Sequence, residues 1–196
     1  FYEINPEQRF AATATLLKHF RPVSTLAFCN TKAQCEALGE DLQQRGIRAL
    51  VLHGDLEQRD REDVLVQFIN QSCSVLVATD VAARGLDIQT LDAVINVDIS
   101  PNAETHIHRI GRTGRSEAKG LALTLCSPQE RFRAERIEKT LEAPLDWQDL
   151  PQVKDNARSL QPPMKTICLR AGKKDKIRPG DLLGALTKDI GLQASQ

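Results

Sequence analysis

The sequence has few aromatic residues and no excess of charge. Aromatic side chains make up 4% of the 196 residues, so aliphatic side chains must build the core. Lys plus Arg and Asp plus Glu each number 26, and the resulting net charge of zero excludes a uniformly basic protein that wraps nucleic acid. Local basic patches remain compatible with this balance. A hydrophobic fraction of 41% with 27% charged residues is ordinary for a globular domain.

The sequence also lacks paired cysteines and long apolar segments. Its five cysteines contain no CxxC pair, which argues against zinc and against a disulfide framework. We therefore expect no metal site, a cytoplasmic location, and Cys29, Cys73 and Cys126 as small core residues. No apolar run has the length of a membrane span and no signal peptide is visible, so we expect no membrane partner. Because the chain begins at Phe1 rather than Met, we interpret it as a fragment.

Short β-rich runs alternate with longer segments of helical pattern. This alternation predicts an α/β fold, a mostly parallel sheet with helices on both faces. The predicted strands are residues 23–29, 47–53, 74–79, 93–97 and 120–126. The predicted helices are residues 31–45, 57–70, 103–110 and 128–141. In such sheets the working groups lie at the carboxyl ends of the strands.

Two of the predicted helices carry specific signals. Asn30 or Thr31 suits the N-cap of the first helix, and Gly46 suits its end. In the helix at 57–70 the predicted apolar stripe consists of Val64, Leu65, Phe68 and Ile69.

A second pattern begins after a proline-containing stretch. We predict a first domain at residues 1–150, a linker at 151–163 and the start of another domain at 164–196. The last segment contains a predicted strand at 165–170, a basic loop and a predicted helix at 181–188. One strand and one helix cannot bury a core alone, so we expect this second domain to be incomplete.

The strongest local signal is residues 108–115, where three arginines and two glycines lie within eight residues. Glycine allows tight backbone turns. Arginines spaced three residues apart can direct their planar guanidinium groups at one anionic target. The alternative is a solvated basic face, which explains the glycines poorly.

A second signal follows the strand at 74–79. This strand brings Thr79 and Asp80 to its carboxyl end, and Arg84, Gly85 and Asp87 follow on a turn. Hydroxyl, backbone N–H and guanidinium groups together suit phosphate and ribose contacts. An ordinary loop with an N-cap aspartate would explain Asp80 alone, but not the whole string.

Both signals resemble motifs V and VI of the DEAD-box ATP-dependent RNA helicases. Order and spacing agree with this family over residues 25–115, so the resemblance implies its C-terminal RecA-like domain. The other matching segments are residues 26–32 with motif IV, 53–55 with the HGD element, Gln58 and Arg61 with the QxxR element, and 94–98 with the strand between motifs V and VI.

The resemblance also implies roles for individual residues. Arg112 and Arg115 match the catalytic arginine fingers, which reach the γ-phosphate of ATP bound on the other lobe. Asp87 matches the residue that contacts the ATP ribose, and His108 and Arg109 match positions that couple the two lobes. The positions near the RNA backbone are Asn30, Gly54, Arg61, Thr79, Asp80 and Arg84, with the role of Gln58 left open.

Two elements of the family are missing from the sequence. It contains neither a GxxxxGK[ST] phosphate loop nor a DEAD tetrapeptide. The acidic residues at 60–63 lie inside a helical pattern rather than at a strand end. The missing elements would hold the ATP phosphates and Mg²⁺. The resemblance therefore implies that ATP and Mg²⁺ are held mainly by an N-terminal RecA-like domain, the expected partner lobe, and that this chain alone cannot form a phosphoryl-transfer site.

Residues 173–186 resemble the start of the C-terminal RNA-binding domain of the DbpA/YxiN group. That domain is similar to an RRM and, in the family, directs the helicase to a ribosomal RNA hairpin. We expect Lys173, Lys174, Lys176 and Arg178 to contact phosphates. A merely solvated charged loop is the alternative. We expect the RRM-like domain to be truncated, because its sheet needs further strands.

Three functions compete at this point. The first is the C-terminal lobe of an RNA helicase that acts on structured ribosomal RNA in ribosome assembly. The second is an RNA-binding module without enzymatic activity, which would not need arginines directed at a nucleotide. The third is a small-molecule enzyme with cysteine chemistry, which the absence of a cysteine–histidine nucleophile signature argues against. The first hypothesis explains Arg112 and Arg115 best.

Overall fold

The computed structural model describes residues 1–84, 86, 91–114, 120–153 and 160–191. The chain divides into two compact units, Phe1–Lys165 and Thr166–Gln196. The first unit extends past residue 150 because Leu160 is buried in its hydrophobic core. Among the described residues, no helix has the length and apolar character needed to cross a membrane.

A parallel sheet forms the centre of the first unit, as predicted. Its strands are β1 (Tyr2–Glu3), β2 (Thr25–Phe28), β3 (Ala49–Leu52), β4 (Val75–Ala78), β5 (Ala93–Asn96) and β6 (Leu121–Cys126). They lie in the order β1-β6-β5-β2-β4-β3, and every neighbouring pair is parallel. The edge strand β1 was not predicted. It is too short to show a periodic pattern.

Helices cover both faces of this sheet. They are α1 (Arg9–Phe20), α2 (Lys32–Gln44), α3 (Gln58–Ile69), α4 (Asp80–Ala83), α5 (Ala103–Ile110) and α6 (Arg131–Leu141). Successive strand residues point to opposite faces. Ala27 of β2 therefore packs in one core with Leu38 of α2, whereas its neighbour Leu26 packs in another with Phe68 of α3. This arrangement confirms the predicted layers.

Helix α1 was not predicted, because its buried side is not uniformly apolar. Arg9 and Thr13 are buried in this helix together with Leu16 and Leu17. The helix also lacks a side-chain hydrogen bond at its N-cap, Gln8. Both sequence signals on which helix prediction depends, a continuous apolar stripe and a capping residue, are therefore weak.

The local signals of the other helices are mostly confirmed. Thr31 is the N-cap of α2 and accepts the Gln34 N–H at 3.2 Å. Gly46 follows this helix with φ +75°, a left-handed conformation that suits glycine. The predicted stripe of α3 is wrong at Ile69, which is 61% exposed while its neighbour Phe68 is buried.

The cysteines predicted to lie in the core do so. Cys29, Cys73 and Cys126 are buried, as is Cys35, whereas Cys168 is exposed.

The second unit contains helical turns but no paired strand in the residues described. Its main elements are a 3₁₀ turn (Lys173–Asp175), α7 (Pro179–Gly184) and a π-helical turn (Ala185–Asp189). The predicted helix at 181–188 is thus confirmed, and it begins earlier, at Pro179. The predicted strand at 165–170 is wrong, because a strand needs a neighbour to pair its backbone N–H and C=O groups.

Candidate functional site

Polar side chains meet at the carboxyl edge of the sheet. Asn30 follows β2, Thr79 and Asp80 follow β4, and Asp98 follows β5. These three strands are adjacent and parallel, so their carboxyl ends lie side by side. The sheet thereby brings together residues that lie far apart in the sequence.

Arg109 of α5 occupies the centre of this edge, with its side chain only 1% exposed. Its Nε and Nη2 donate to the two carboxylate oxygens of Asp80 at 2.7 and 2.8 Å. Nη2 also donates to Asn30 Oδ1 at 2.9 Å. Nη1 donates to the Asp98 carbonyl oxygen at 2.8 Å and to Asn96 Oδ1 at 3.2 Å. All five N–H donors of the guanidinium are therefore satisfied inside the domain.

These hydrogen bonds limit how Arg109 could couple the two lobes, the role predicted for it and for His108. Arg109 has no donor left for a second lobe, so any coupling through it acts by positioning Asp80 and Asn30. His108, its neighbour in α5, is exposed. The coupling role of both residues stays a prediction.

A cleft of about 500 Å³ opens beside Arg109. Its lining includes Asp80, Arg84, His108 and Arg112. Arg112 is half-buried, and its Nη1 donates to the Leu86 carbonyl oxygen at 3.0 Å. This bond holds the side chain at the cleft. Arg112 therefore brings a guanidinium group to the lining of the cleft.

The residues predicted near the RNA backbone fall into two groups. Gly54 and Arg84 are exposed, and a Cβ on Gly54 would meet no atom within 4 Å, so its backbone is open to a ligand. Thr79 and Arg61 instead bond to α4: Thr79 caps it by accepting the Ala82 N–H, and Arg61 Nη2 donates to the Ala82 carbonyl oxygen at 2.8 Å. Gln58 bonds along its own helix.

Two predicted site residues, Asp87 and Arg115, lie outside the described residues, as does Gly85. Of the glycines in the arginine-rich run, Gly114 has φ +64° and supports the predicted tight turn. Gly111 does not use a left-handed conformation, since its φ is −65°.

A buried ion network behind the edge was missed from the sequence. Arg9 Nη2 donates to Glu130 Oε2 at 2.7 Å, and Arg9 Nη1 lies 3.4 Å from Asp98 Oδ1. Asp98 Oδ2 in turn accepts the Asn30 N–H at 2.9 Å. The network therefore supports the loop that carries Asn30. An arginine at the start of a helix that also contains Leu16 and Leu17 was the signal that could have revealed it.

Glu130 is ionised within this network. Burial opposes its charge, but hydrogen bonds from Arg9 and Ser127 outweigh burial and hold its pKa below the usual value. A charged Glu130 keeps Arg9 paired on both sides.

His106 is a buried group on the same helix as Arg109. It is 2% exposed, and its Nδ1 has no hydrogen-bond partner among the described residues. Burial lowers the pKa of His106 to about 4, with contributions from Arg109 and the N-terminal amine. The folded chain therefore holds this imidazole neutral.

Acid should destabilise the chain through His106. An unfolded histidine titrates near 6.5, so this contribution to stability is fully present above pH 6.5 and is lost as the pH falls towards 4. We expect a loss of about 3 kcal/mol across this window, measured by urea unfolding at a series of pH values. His106→Leu should flatten the profile, whereas His19→Leu on the exposed end of α1 should not. An unchanged profile in His106→Leu would contradict this assignment.

Comparison with known families identifies the fold. The profile of the helicase conserved C-terminal domain matches residues 8–117, more than half of the chain. The chain belongs to the helicase C-terminal domain family. The profile of the DbpA RNA binding domain matches residues 166–196. These residues are the second compact unit of the chain.

Its relatives place this helicase C-terminal domain among the DEAD-box proteins. The ATP-dependent RNA helicase DbpA of Escherichia coli is 48% identical over 100% of the chain, which covers 42% of that protein. The structure of E. coli SrmB bound to the regulator of ribonuclease activity A superimposes with a TM-score of 0.71 at 29% identity, covering 86% of this chain and 95% of that one. Dbp5 of S. cerevisiae, bound to RNA and ADP BeF3, has a TM-score of 0.68 at 30% identity, covering 76% and 40%. The chain spans less than half the length of the curated relatives it matches.

Proposed function

We propose that this chain is the second lobe of an ATP-dependent RNA helicase. In this proposal it binds the RNA backbone along the carboxyl edge of its sheet and directs Arg112 and Arg115 to ATP held by a first lobe. The observation that carries the proposal is the cleft at that edge, where the Leu86 carbonyl holds Arg112 beside Arg84 and His108. An RNA-binding module without enzymatic activity would not need arginines directed at a nucleotide.

The cleft fits the phosphates of a nucleotide but not a resident metal ion. Guanidinium groups are suited to phosphate oxygens, since their N–H donors match the geometry of the anion. In the described part of the chain, no group of three or more His, Cys, Asp or Glu side chains could hold a metal. Mg²⁺ therefore belongs, in this proposal, with the ATP on the other lobe.

The RNA side of the proposal rests on the open part of the edge. The Gly54 backbone is unobstructed, and Arg84 is exposed close to Thr79 in the chain. Backbone N–H groups, hydroxyls and arginines contact sugars and phosphates without reading the bases. The RNA-bound Dbp5 structure, which shares this fold, supports such a contact.

The isolated chain should bind single-stranded RNA without hydrolysing ATP. Its sequence lacks the phosphate loop and the DEAD carboxylates, whereas the residues that we assign to RNA are present in it. Fluorescence anisotropy with a labelled oligonucleotide would detect the binding, and phosphate release would detect hydrolysis. If the isolated chain hydrolyses ATP, and equally pure Arg112→Ala protein does not, the proposal that ATP is held by the other lobe is contradicted.

The second unit supplies target choice in this proposal. Lys174, Lys176 and Arg178 are exposed, in agreement with a phosphate-binding loop. Because the unit matches the DbpA RNA binding domain, we propose structured ribosomal RNA as the target and ribosome assembly, in the cytoplasm, as the process.

Removing the charges of this loop should weaken RNA binding without slowing the chemical step. In the full-length protein, Lys173→Ala with Lys174→Ala should raise the RNA concentration that half-saturates the ATPase. The salt dependence should flatten by about 0.7 in logarithmic slope for each lost phosphate contact. ATPase titrations with a structured ribosomal RNA and a random single strand, at two salt concentrations, test this. Equal weakening for both RNAs would show a general electrostatic patch, and no weakening would show a solvated loop.

A further inference from the structure

The outward face of α6 carries a basic and aromatic patch that the proposed function does not use. The patch consists of Phe132, Arg133, Arg136 and Lys139. Phe132 is 49% exposed, although a phenylalanine is normally buried. The opposite side of the same helix packs Ala134 and Ile137 into a hydrophobic cluster, so the exposure of Phe132 follows from its position on the helix.

The cations of this patch are available to a ligand. The guanidinium carbons of Arg133 and Arg136 each lie 5.6 Å from the centroid of the Phe132 ring. No ion pair joins Arg133, Arg136 or Lys139 to any residue that the structure describes. Arg131 differs from them, because it pairs with Glu3 and stacks on the Trp147 ring at 4.2 Å. The helix thus places two arginines, Arg133 and Arg136, beside an exposed ring, and the exposed Lys139 and Glu135 lie on the same helix.

The position of α6 connects the patch with the edge assigned to RNA. The chain leaves the carboxyl end of β6 at Cys126 and enters α6 at Arg131, so the first turn of α6 lies near this edge. Strands β5 and β2 separate β6 from β4, which carries Thr79 and Asp80. Three strand spacings amount to about 14 Å, or about four nucleotides of a helical single strand.

We propose that the outward face of α6 is a second RNA contact surface, which takes single-stranded RNA extending from the carboxyl-edge site. An exposed ring flanked by unpaired cations suits a base stacked on the ring with its neighbouring phosphates bound by arginine. An RNA strand matches both components, whereas a purely acidic peptide would use only the charges. This proposal rests on the proposed function, because it extends the same RNA path.

The test measures how RNA affinity grows with length. Labelled oligouridylates of 6 and 14 nucleotides are titrated by anisotropy into the chain and its variants at two salt concentrations. For the longer RNA, Phe132→Ala should weaken binding by about tenfold, the scale of one base–aromatic stack. Arg133→Gln with Arg136→Gln should lower the logarithmic salt slope by about 1.4, for two contacts. The shorter RNA should be affected by less than about twofold, since it spans the carboxyl-edge site alone.

A charge-matched control separates this surface from general electrostatics. Arg45→Ala with Arg48→Ala removes two positive charges near the amino end of β3, at the opposite edge of the sheet. If the α6 variants weaken the longer RNA no more than this control does, the proposal is overturned while the proposed function stands. The proposal is also overturned, and the proposed function also stands, if the α6 variants lose affinity for an acidic peptide but not for RNA. If the unmodified chain binds neither RNA, the proposed function itself fails.

Discussion

Alanine at Arg112 or Arg115 in the full-length protein is expected to lower ATP turnover by about 10³-fold or more, the usual effect of removing an arginine finger. Arg112 lines the cleft, where its Nη1 donates to the Leu86 carbonyl oxygen, so its guanidinium donors lie at the proposed ATP site. Such donors stabilise charge that develops on the transferred phosphoryl group. Steady-state ATPase assays at saturating RNA measure the effect.

Two comparisons make this result specific. Arg45→Ala removes a surface arginine that follows α2 and pairs with Asp41 in its last turn, and turnover should be unchanged. RNA binding without nucleotide should change little in Arg112→Ala, because the proposed RNA contacts lie elsewhere along the edge. Near-normal turnover in both finger variants would show that these arginines do not act on ATP.

Arg109→Met is expected to destabilise the chain strongly. We expect its free energy of unfolding to fall by about 3–5 kcal/mol. The substitution removes the shared donor of the Asp80 carboxylate, Asn30, Asn96 and the Asp98 carbonyl, and Asn96 and Asp98 are buried. A buried acceptor that loses its partner costs far more than an exposed one. Urea unfolding followed by circular dichroism gives the value.

The controls for Arg109 vary charge and geometry separately. Arg109→Lys retains the charge but cannot match five planar donors, so an intermediate loss is expected. Arg45→Ala breaks an exposed ion pair and should cost less than about 1 kcal/mol. A loss of that small size in Arg109→Met would mean that the network does not hold the strand ends together.

Much of the fold could be predicted from local patterns. The five longer strands and the helix at 103–110 lie within the predicted segments, because continuous β-rich apolar runs and capping residues are visible in the sequence itself. The misses have physical causes. Helix α1 buries Arg9, whose charge is balanced by Glu130 from a distant segment. The predicted strand at 165–170 has no neighbouring strand among the described residues with which to pair.

For the site, the sequence by itself determined the family and which residues are candidates for its chemistry. The arginine-rich run and the string after β4 are each continuous in the sequence. Motifs of this kind can be recognised without any knowledge of the fold. Only the tertiary structure decided that Arg109 is an internal anchor while Arg112 faces a cleft. These two arginines are three residues apart at one end of α5, and no local rule distinguishes them. The partners of Arg109 lie 29 residues away at Asp80 and 79 residues away at Asn30, and they meet it only because β2, β4 and β5 are neighbours in the sheet.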